Sequence, residues 1–110
     1  MGLTKSMLFS DNQNELALVF KALGHPARIK ILEHLLSVNS CICGDIVNVV
    51  NLAQPTISQH LKELKQAGLI QGQIEGRNIC YCVNPNKIQE LSELFDEMKS
   101  QLKSKSSCCN

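Results

Sequence analysis

The feature of this sequence that most constrains its fold is an amphipathic pattern that predicts a helix over about residues 54–67. Ile57, Leu61 and Leu64 recur at steps of four and three residues, so a period of 3.6 residues places them on one face. Pro55 suits the first helical turn, where its missing N–H costs no helical hydrogen bond. The sequence therefore predicts a helix with one buried face and one exposed face.

The exposed face of this helix begins with short hydrogen-bonding side chains and a cation: Gln54, Thr56, Ser58, Gln59 and Lys62. Such side chains reach base edges in a DNA groove, and a lysine beside them can meet phosphate. His60 follows them and either contacts phosphate or supports the helix from inside. Upstream, residues 44–50 predict a short helix and residues 51–53 a tight turn. Together these segments indicate a helix-turn-helix whose second helix reads DNA.

A β-hairpin is predicted directly after this helix. Residues 69–75 and residues 78–83 are the two strands, and Gly76 and Arg77 form the tip. In the second strand, apolar and other residues alternate, so we expect one face to pack on the core: Ile79, Tyr81 and Val83 against Asn78, Cys80 and Cys82. A hairpin with a basic tip after a helix-turn-helix is a wing, and its arginine is suited to phosphate or a minor groove.

Four segments of the chain resemble the ArsR/SmtB family, in the right order and spacing. They are residues 23–32 (LGHPARIKIL), 54–61 (QPTISQHL), 67–70 (AGLI) and 76–77 (GR), and the likeness spans roughly residues 14–100. The resemblance implies a winged helix-turn-helix, mainly α with a small β-hairpin. It also implies a homodimeric, metal-responsive repressor that blocks a promoter until an effector binds. The chain departs from the family at Ala53, where a serine often caps the recognition helix.

Length and composition agree with one small regulatory domain. We expect a flexible tail over residues 1–12, the winged domain over 13–102 and a cysteine-containing tail over 103–110. No apolar run of membrane-spanning length and no signal-peptide pattern occur, so we expect a cytoplasmic protein without a membrane partner. The net charge of +1 predicts modest electrostatic attraction to DNA per subunit. No catalytic constellation is present, so an enzyme is not expected.

Two apolar stripes are candidate dimer elements. Residues 88–102 carry a long seam at steps of three and four residues: Ile88, Leu91, Leu94, Phe95, Met98 and Leu102. Residues 16–23 carry a shorter stripe, which packs either inside its own domain or against a second subunit. We expect the longer stripe to join two subunits.

The six cysteines form three close pairs: Cys41/Cys43, Cys80/Cys82 and Cys108/Cys109. In a cytoplasmic chain we expect reduced thiols, which are soft ligands for thiophilic metals and metalloids. Cys41 and Cys43 begin the predicted first helix of the helix-turn-helix, where the family resemblance implies a site for arsenic, antimony, cadmium or lead. Cys80 and Cys82 could bind a soft ion, but packing against the domain is the favoured reading.

Geometry and ligand number suggest which effector acts and how. Residues two apart in a helix point about 200° apart, so Cys41 and Cys43 share an ion only if the segment is non-helical or unwinds. We favour unwinding, or a mixture of unwinding with a segment that is already non-helical at Cys41. Trivalent arsenic and antimony, the expected effectors, take three thiolates, and Cys108 or Cys109 could supply the third. A methylated arsenical needs only two. A cadmium or lead sensor and a thiol-based redox or sulfide sensor remain alternatives.

Overall fold

The computed structural model describes residues 5–38, 41–43, 50–75 and 78–104. After a 3-10 helix at Lys5–Leu8 come helices α1 (Asp11–Leu23), α2 (Pro26–Val38), α3 (Gln54–Gln66) and α4 (Pro85–Ser104). The strands are β1 (Ile42–Cys43), β2 (Ile70–Glu75) and β3 (Asn78–Val83). The fold is therefore mainly helical with a small sheet, as the sequence predicts.

Helix α1 begins earlier than the predicted domain boundary at residue 13. Ser10 and Gln13 form a capping box, in which the Ser10 hydroxyl accepts from the Gln13 N–H and the Gln13 side chain accepts from the Ser10 N–H, each at 3.0 Å. With the 3-10 helix before it, the described part of the predicted tail has secondary structure. Of the predicted tail over 103–110, residues 103 and 104 complete α4 and the rest lies outside the described residues.

Helix α3, the predicted recognition helix, has an uncapped start and a closed end. Ala53 occupies the N-cap position and makes no side-chain hydrogen bond there, as the sequence indicates. At the other end, the Gly68 N–H donates to the Lys65 carbonyl and the Leu69 N–H donates to the Leu64 carbonyl. This is a Schellman motif, and it requires the positive φ of 80° that Gly68 adopts without strain.

The sheet has three strands in the order β1-β3-β2, both pairs antiparallel. The predicted hairpin is present, with Ile70 opposite Val83 and Glu75 opposite Asn78. Its tip, Gly76 and Arg77, lies outside the described residues. No sequence pattern predicts β1, whose Ile42 lies opposite Tyr81.

The burial of β3 differs in part from the expected alternation. Tyr81 and Val83 pack against the core, but Ile79 is 48% exposed and Cys80 is 0% exposed. The reason is position in the sheet. β3 is the central strand, so β1 and β2 flank Cys80, whereas Ile79 lies near the projecting end of the hairpin.

The core lies where the first three helices meet the sheet. Its main residues are Val19, Ala22, Ile31, Leu32, Leu35, Ile57, Leu61, Leu64, Leu69, Ile70 and Leu91. Val19 is buried, and Leu16 and Leu23 pack against the same core. Most of the predicted stripe over residues 16–23 therefore lies inside its own domain. Burial of these side chains sets the position of α3, because three of them belong to that helix.

The junction of β3 and α4 is held by polar contacts. The Asn84 amide donates to the Gly68 carbonyl at 2.9 Å, and its oxygen accepts from the Asn86 N–H at 3.1 Å. Lys87 is buried and pairs with Glu15 at 2.8 Å and with Glu90 at 2.9 Å. These carboxylates, Glu15 foremost, raise the pKa of Lys87. The ion pair to Glu15 joins α4 to α1.

Candidate nucleic-acid interface and cysteine pair

The inner face of helix α3 is buried, as the sequence predicts. Ile57, Leu61 and Leu64 are all among the core residues, and the helix packs against α1, α2 and β2. Replacing such a buried side chain with alanine typically costs about 2–5 kcal/mol. The inner face therefore holds the helix in place and leaves its outer face free of the domain.

The outer face residues of α3 all lie exposed: Gln54, Thr56, Ser58, Gln59 and Lys62. They offer amide and hydroxyl groups that donate and accept, with one cation a turn beyond. The Gln59 amide donates to the Glu63 carboxylate at 3.0 Å, which orients its oxygen for another donor. The arrangement can present hydrogen-bonding groups to base edges and a charge to phosphate.

His60 differs from the outer face residues, because only 7% of it is exposed. Arg28 donates from Nε to Nδ1 of His60 at 3.1 Å, and the ring of His25 lies 4.4 Å away between centroids. Burial, followed by the nearby His25 and Arg28, lowers the pKa of His60. Of the two roles that the sequence leaves open for His60, its burial and its hydrogen bond with Arg28 favour support of the helix over contact with phosphate. Sequence reasoning missed Arg28 as its partner, since the two lie on different helices.

Lys65 is a further cation near the wing that sequence reasoning did not single out. Its exposed side chain crosses β2 at Gly72, where an added Cβ would lie 3.3 Å from Lys65 Nζ. Glycine at that position gives the lysine room. The predicted wing residue Arg77 lies outside the described residues, so Lys65 is the cation placed beside the described part of the hairpin.

The segment around Cys41 and Cys43 is extended and not helical. Cys41 precedes β1 and Cys43 belongs to it, so the prediction that they begin a helix is wrong, and no first turn exists there to unwind. Pairing with β3 gives the physical reason, because a backbone hydrogen-bonded to a neighbouring strand cannot be helical. The predicted helix over residues 44–50 lies outside the described residues except Val50, which is helical.

Cysteines of β1 and β3 face each other across the sheet. Cys41 and Cys82 are joined by a disulfide, with their Cα atoms 4.4 Å apart. Cys80, whose Cα lies opposite that of Cys43, is also disulfide-bonded. The expectation of reduced thiols thus fails in this structure, because opposite positions of an antiparallel pair fall within the Cα separation that a disulfide needs.

The structure does not assemble a larger ligand set. Among the described residues, no three histidine, cysteine, aspartate or glutamate side chains form a group that could hold a metal ion. The side chain of Cys43 and all of Cys108 and Cys109 lie outside what the structure describes. The cysteine pair whose two side chains are both described is Cys41 with Cys82.

An apolar flank remains uncovered on α1 and α4. The rings of Phe20 and Phe95 meet edge to face at 6.2 Å, and Met98 and Leu102 continue the exposed surface along α4. Leu91, in contrast, is buried in the core of its own chain. The predicted seam over residues 88–102 therefore divides, with its first half packed inside the domain and its second half exposed.

Comparison with known proteins identifies the family. Residues 25–71 match the family described as bacterial regulatory protein, arsR family. An uncharacterised HTH-type transcriptional regulator of Methanocaldococcus jannaschii is 38% identical over 73% of this chain and 90% of its own length. The chain belongs to the arsR family. The transcriptional repressor SdpR of Bacillus subtilis is 42% identical over 66% of this chain and 79% of its own. A homolog of the cadmium resistance transcriptional regulatory protein CadC, from Staphylococcus aureus, is 33% identical over 81% and 74%.

Solved structures of arsR-family regulators have the same fold. An ArsR-like transcriptional regulator from Rhodococcus sp. RHA1 has a TM-score of 0.75 at 21% identity, covering 89% of this chain and 92% of that one. A homodimeric winged helix-turn-helix DNA-binding domain from Mycobacterium bovis has a TM-score of 0.66 at 22% identity, covering 92% and 91%. The predicted winged helix-turn-helix is confirmed.

The chain is thus an arsR-family DNA-binding transcriptional repressor and not an enzyme. In the described ranges, no helix is both long enough and apolar enough to cross a membrane.

Proposed function

We propose that this chain acts as a homodimeric repressor that leaves its operator when trivalent arsenic or antimony binds cysteine thiolates. The observation that carries the proposal is the position of Cys41, exposed beside the chain leading into the helix-turn-helix and bonded to Cys82 of the wing strand. Thiolates are the ligands that thiophilic metalloids prefer. A ligand bound at Cys41 would act on two parts of the proposed DNA-binding surface, namely the segment before α3 and the wing.

For DNA, we assign base reading to the outer face residues Gln54, Thr56, Ser58 and Gln59, and phosphate contacts to Lys62 and Arg77. Exposure of the α3 residues supports the assignment, as does the burial of the opposite face of that helix. The net charge of +1 makes electrostatic attraction modest for one subunit. Two subunits double the phosphate contacts, which favours a dimer as the binding form.

For the effector, we assign thiolates from Cys41 and Cys43. Arsenite and antimonite take three thiolates, and we assign the third to Cys108 or Cys109 of either subunit. If effector binding and DNA binding are coupled by about 3 kcal/mol, DNA affinity falls roughly 150-fold, which is enough to switch a promoter.

Two further effectors are each favoured by one observation. The Cys41–Cys82 disulfide favours an oxidant as the signal, because making or breaking that bond changes the link between β1 and the wing. The name of the Staphylococcus aureus relative, a homolog of a cadmium resistance regulator, favours cadmium or lead. The experiment must therefore separate three kinds of signal.

The test follows binding of the full reduced chain to DNA from upstream of its own coding sequence, by fluorescence anisotropy. Arsenite or antimonite should release the DNA, whereas Cys41→Ser should bind equally well and stay bound, because a hydroxyl is a poor soft-metal ligand. Ser37→Ala, an exposed change near the end of α2, is the control and should respond as wild type. Release by cadmium or by hydrogen peroxide, without release by arsenite or antimonite, would replace the proposed effector.

A further inference from the structure

Cys41 and Cys82 lie close together across two strands and not along one strand, as do the Cα atoms of Cys43 and Cys80. Cys41 and Cys82 have their Cα atoms 4.4 Å apart. In a strand, Cα atoms two residues apart are separated by about 6.6 Å, which is the spacing expected for a Cys-x-Cys pair such as Cys41 and Cys43. Two thiolates that share one atom through bonds near 2.3 Å must approach to within roughly 4 Å. The Cys41 and Cys82 sulfurs are bonded to each other in this structure, so they meet this requirement without movement of the backbone.

The cross-strand pair is also accessible to a ligand. Cys41 is exposed and Cys82 is half-buried, whereas Cys80, two residues away on β3, is fully enclosed. A small electrophile can therefore reach the first two sulfurs before it reaches the third. Cys80 and Cys82 lie on the same strand, but their different burial makes Cys82 the more reactive of the two.

A groove of about 570 Å³ lies beside the pair and includes both Cys41 and Cys82 in its wall. Its other walls come from α2, the end of β3 and α4. Leu35, Leu36, Val83 and Ile88 make the apolar part, and Gln89 and Ser92 add polar groups. An inorganic oxyanion has no group that gains from the apolar part. A ligand that joins a thiophilic atom to a hydrocarbon group uses both parts of the site.

We propose that Cys41 and Cys82, in their reduced form, are a two-thiolate site for a monosubstituted trivalent organoarsenical, whose organic group lies in the adjacent groove. This inference rests on the proposed function and changes its ligand set, since it pairs Cys41 with the wing and not with Cys43. It also names the substrate class, an organic arsenical in place of arsenite.

The chemistry balances without an oxidant. An arsonous acid, R–As(OH)₂, exchanges its two As–O bonds for two As–S bonds to the cysteines, and the two hydroxyls leave as two waters that carry the thiol protons. Arsenic stays trivalent. No third thiolate is needed, so Cys108 and Cys109 are dispensable. The resulting S–As–S bridge ties β1 to the wing strand, as the disulfide does in this structure.

The binding test uses phenylarsine oxide, hydrated to the phenylarsonous acid, with the full chain kept reduced by a phosphine. All proteins carry Cys108→Ser and Cys109→Ser, because adjacent tail thiols would bind the probe independently. Intact mass spectrometry and competition against a small dithiol measure stoichiometry and affinity. One phenylarsenical per chain is expected. Cys41→Ser and Cys82→Ser should each weaken binding about 100-fold or more, because the second As–S bond of a chelate forms intramolecularly.

Cys43→Ser and Cys80→Ser are the matched controls, since each makes the same chemical change two residues away along the same strand segment. Both should keep the affinity of the parent. If Cys43→Ser loses binding while Cys82→Ser keeps it, the site runs along β1 and the inference is overturned.

The groove is tested separately with Leu36→Gln, a substitution of similar size at a groove residue that is 50% exposed. It should weaken the phenyl arsenical about tenfold and leave a methyl arsenical unchanged, because only the larger group covers the leucine. Equal weakening of both would overturn the role of the groove.

Failure of this inference and failure of the proposed function give different results. Binding that needs Cys41 and Cys82 but does not release DNA supports the site and contradicts the repressor mechanism. Release of DNA by phenylarsine oxide from Cys82→Ser at the same concentration as from its parent supports the repressor mechanism and contradicts the cross-strand site.

Discussion

At the scale of single residues, His60 shows how a side chain on a DNA-reading helix can serve the domain interior. Its Nδ1 accepts a hydrogen bond from Arg28, so this nitrogen must be unprotonated. Burial, His25 and Arg28 lower its pKa below the usual 6.5. The folded chain therefore takes up this proton at a lower pH than the unfolded chain. The neutral form of His60 thus stabilises the folded chain. This stabilisation is fully present above pH 6.5 and is lost as the pH falls through 6.5 toward the lowered pKa.

We predict that His60→Asn makes stability less sensitive to acid. An asparagine oxygen can replace Nδ1 as the acceptor for Arg28 but does not titrate. Thermal unfolding followed by circular dichroism between about pH 7.5 and pH 5.5 should show a smaller fall for this variant than for wild type. His34→Asn, a half-buried position on α2, is the control and should keep the wild-type fall. If the stability of His60→Asn falls as much as that of wild type, other groups cause the acid sensitivity.

At the scale of elements, helices α1 and α3 differ in how the backbone N–H groups of their first turns are capped. Helix α1 has a complete capping box, whereas α3 starts at Ala53 with no side-chain cap. The amide groups at the start of α3 are therefore without a side-chain acceptor at the N-cap. Pro55 has no N–H, and the Thr56 N–H donates to the Ala53 carbonyl at 3.0 Å, so a hydroxyl at position 53 would act through the Thr56 N–H.

We predict that Ala53→Ser raises the free energy of unfolding by about 1 kcal/mol, the usual gain from an N-cap hydroxyl. The backbone at Ala53 is already extended, with φ −62° and ψ 148°, as the N-cap position requires. Ser10→Ala is the reciprocal variant and should lower the free energy of unfolding by a similar amount. Urea unfolding without DNA measures both. An unchanged midpoint for Ala53→Ser would mean that the start of α3 is already satisfied in another way.

Elements with their own periodicity could be predicted from the sequence, and elements made by pairing could not. The apolar steps of α3 and the alternation of the hairpin are local signals, and both appear at nearly the predicted bounds. Strand β1 has two residues, too few to show a period, and it exists because Ile42 meets Tyr81 across the sheet. Missing that contact caused the wrong helix at Cys41 and hid the pairing of Cys41 with Cys82.

At the scale of the whole molecule, the chain is more extended than a single compact domain of its length. The radius of gyration of its Cα atoms is 17.4 Å, whereas about 13 Å is usual for such a length. The second half of α4 leaves apolar side chains exposed: Phe95, Met98 and Leu102. A second subunit on this flank would cover it, which supports a dimer through α1 and α4.

We predict that Phe95→Glu combined with Met98→Glu gives a folded monomer, because the new charges would be buried without partners in a dimer. Both side chains are 49% exposed within the chain, so the fold itself should tolerate the change. Analytical ultracentrifugation measures the mass, and circular dichroism checks the helices. Ser100→Glu adds a charge at an exposed position of the same helix and should leave the dimer intact. A dimer that survives both glutamates would place the subunit contact elsewhere.

The bond between Cys41 and Cys82 also closes the chain into a ring, and that ring contains α3, β2 and most of β3. The sequence separation of 41 residues makes the ring large, and by chain-entropy arguments its closure disfavours the unfolded state by about 4 kcal/mol. The part of the molecule that we propose reads DNA is thus a loop whose two ends can be joined or separated by oxidation or reduction. A single protease cut within the tied loop would leave one covalent molecule, whereas the same cut after reduction would release two fragments.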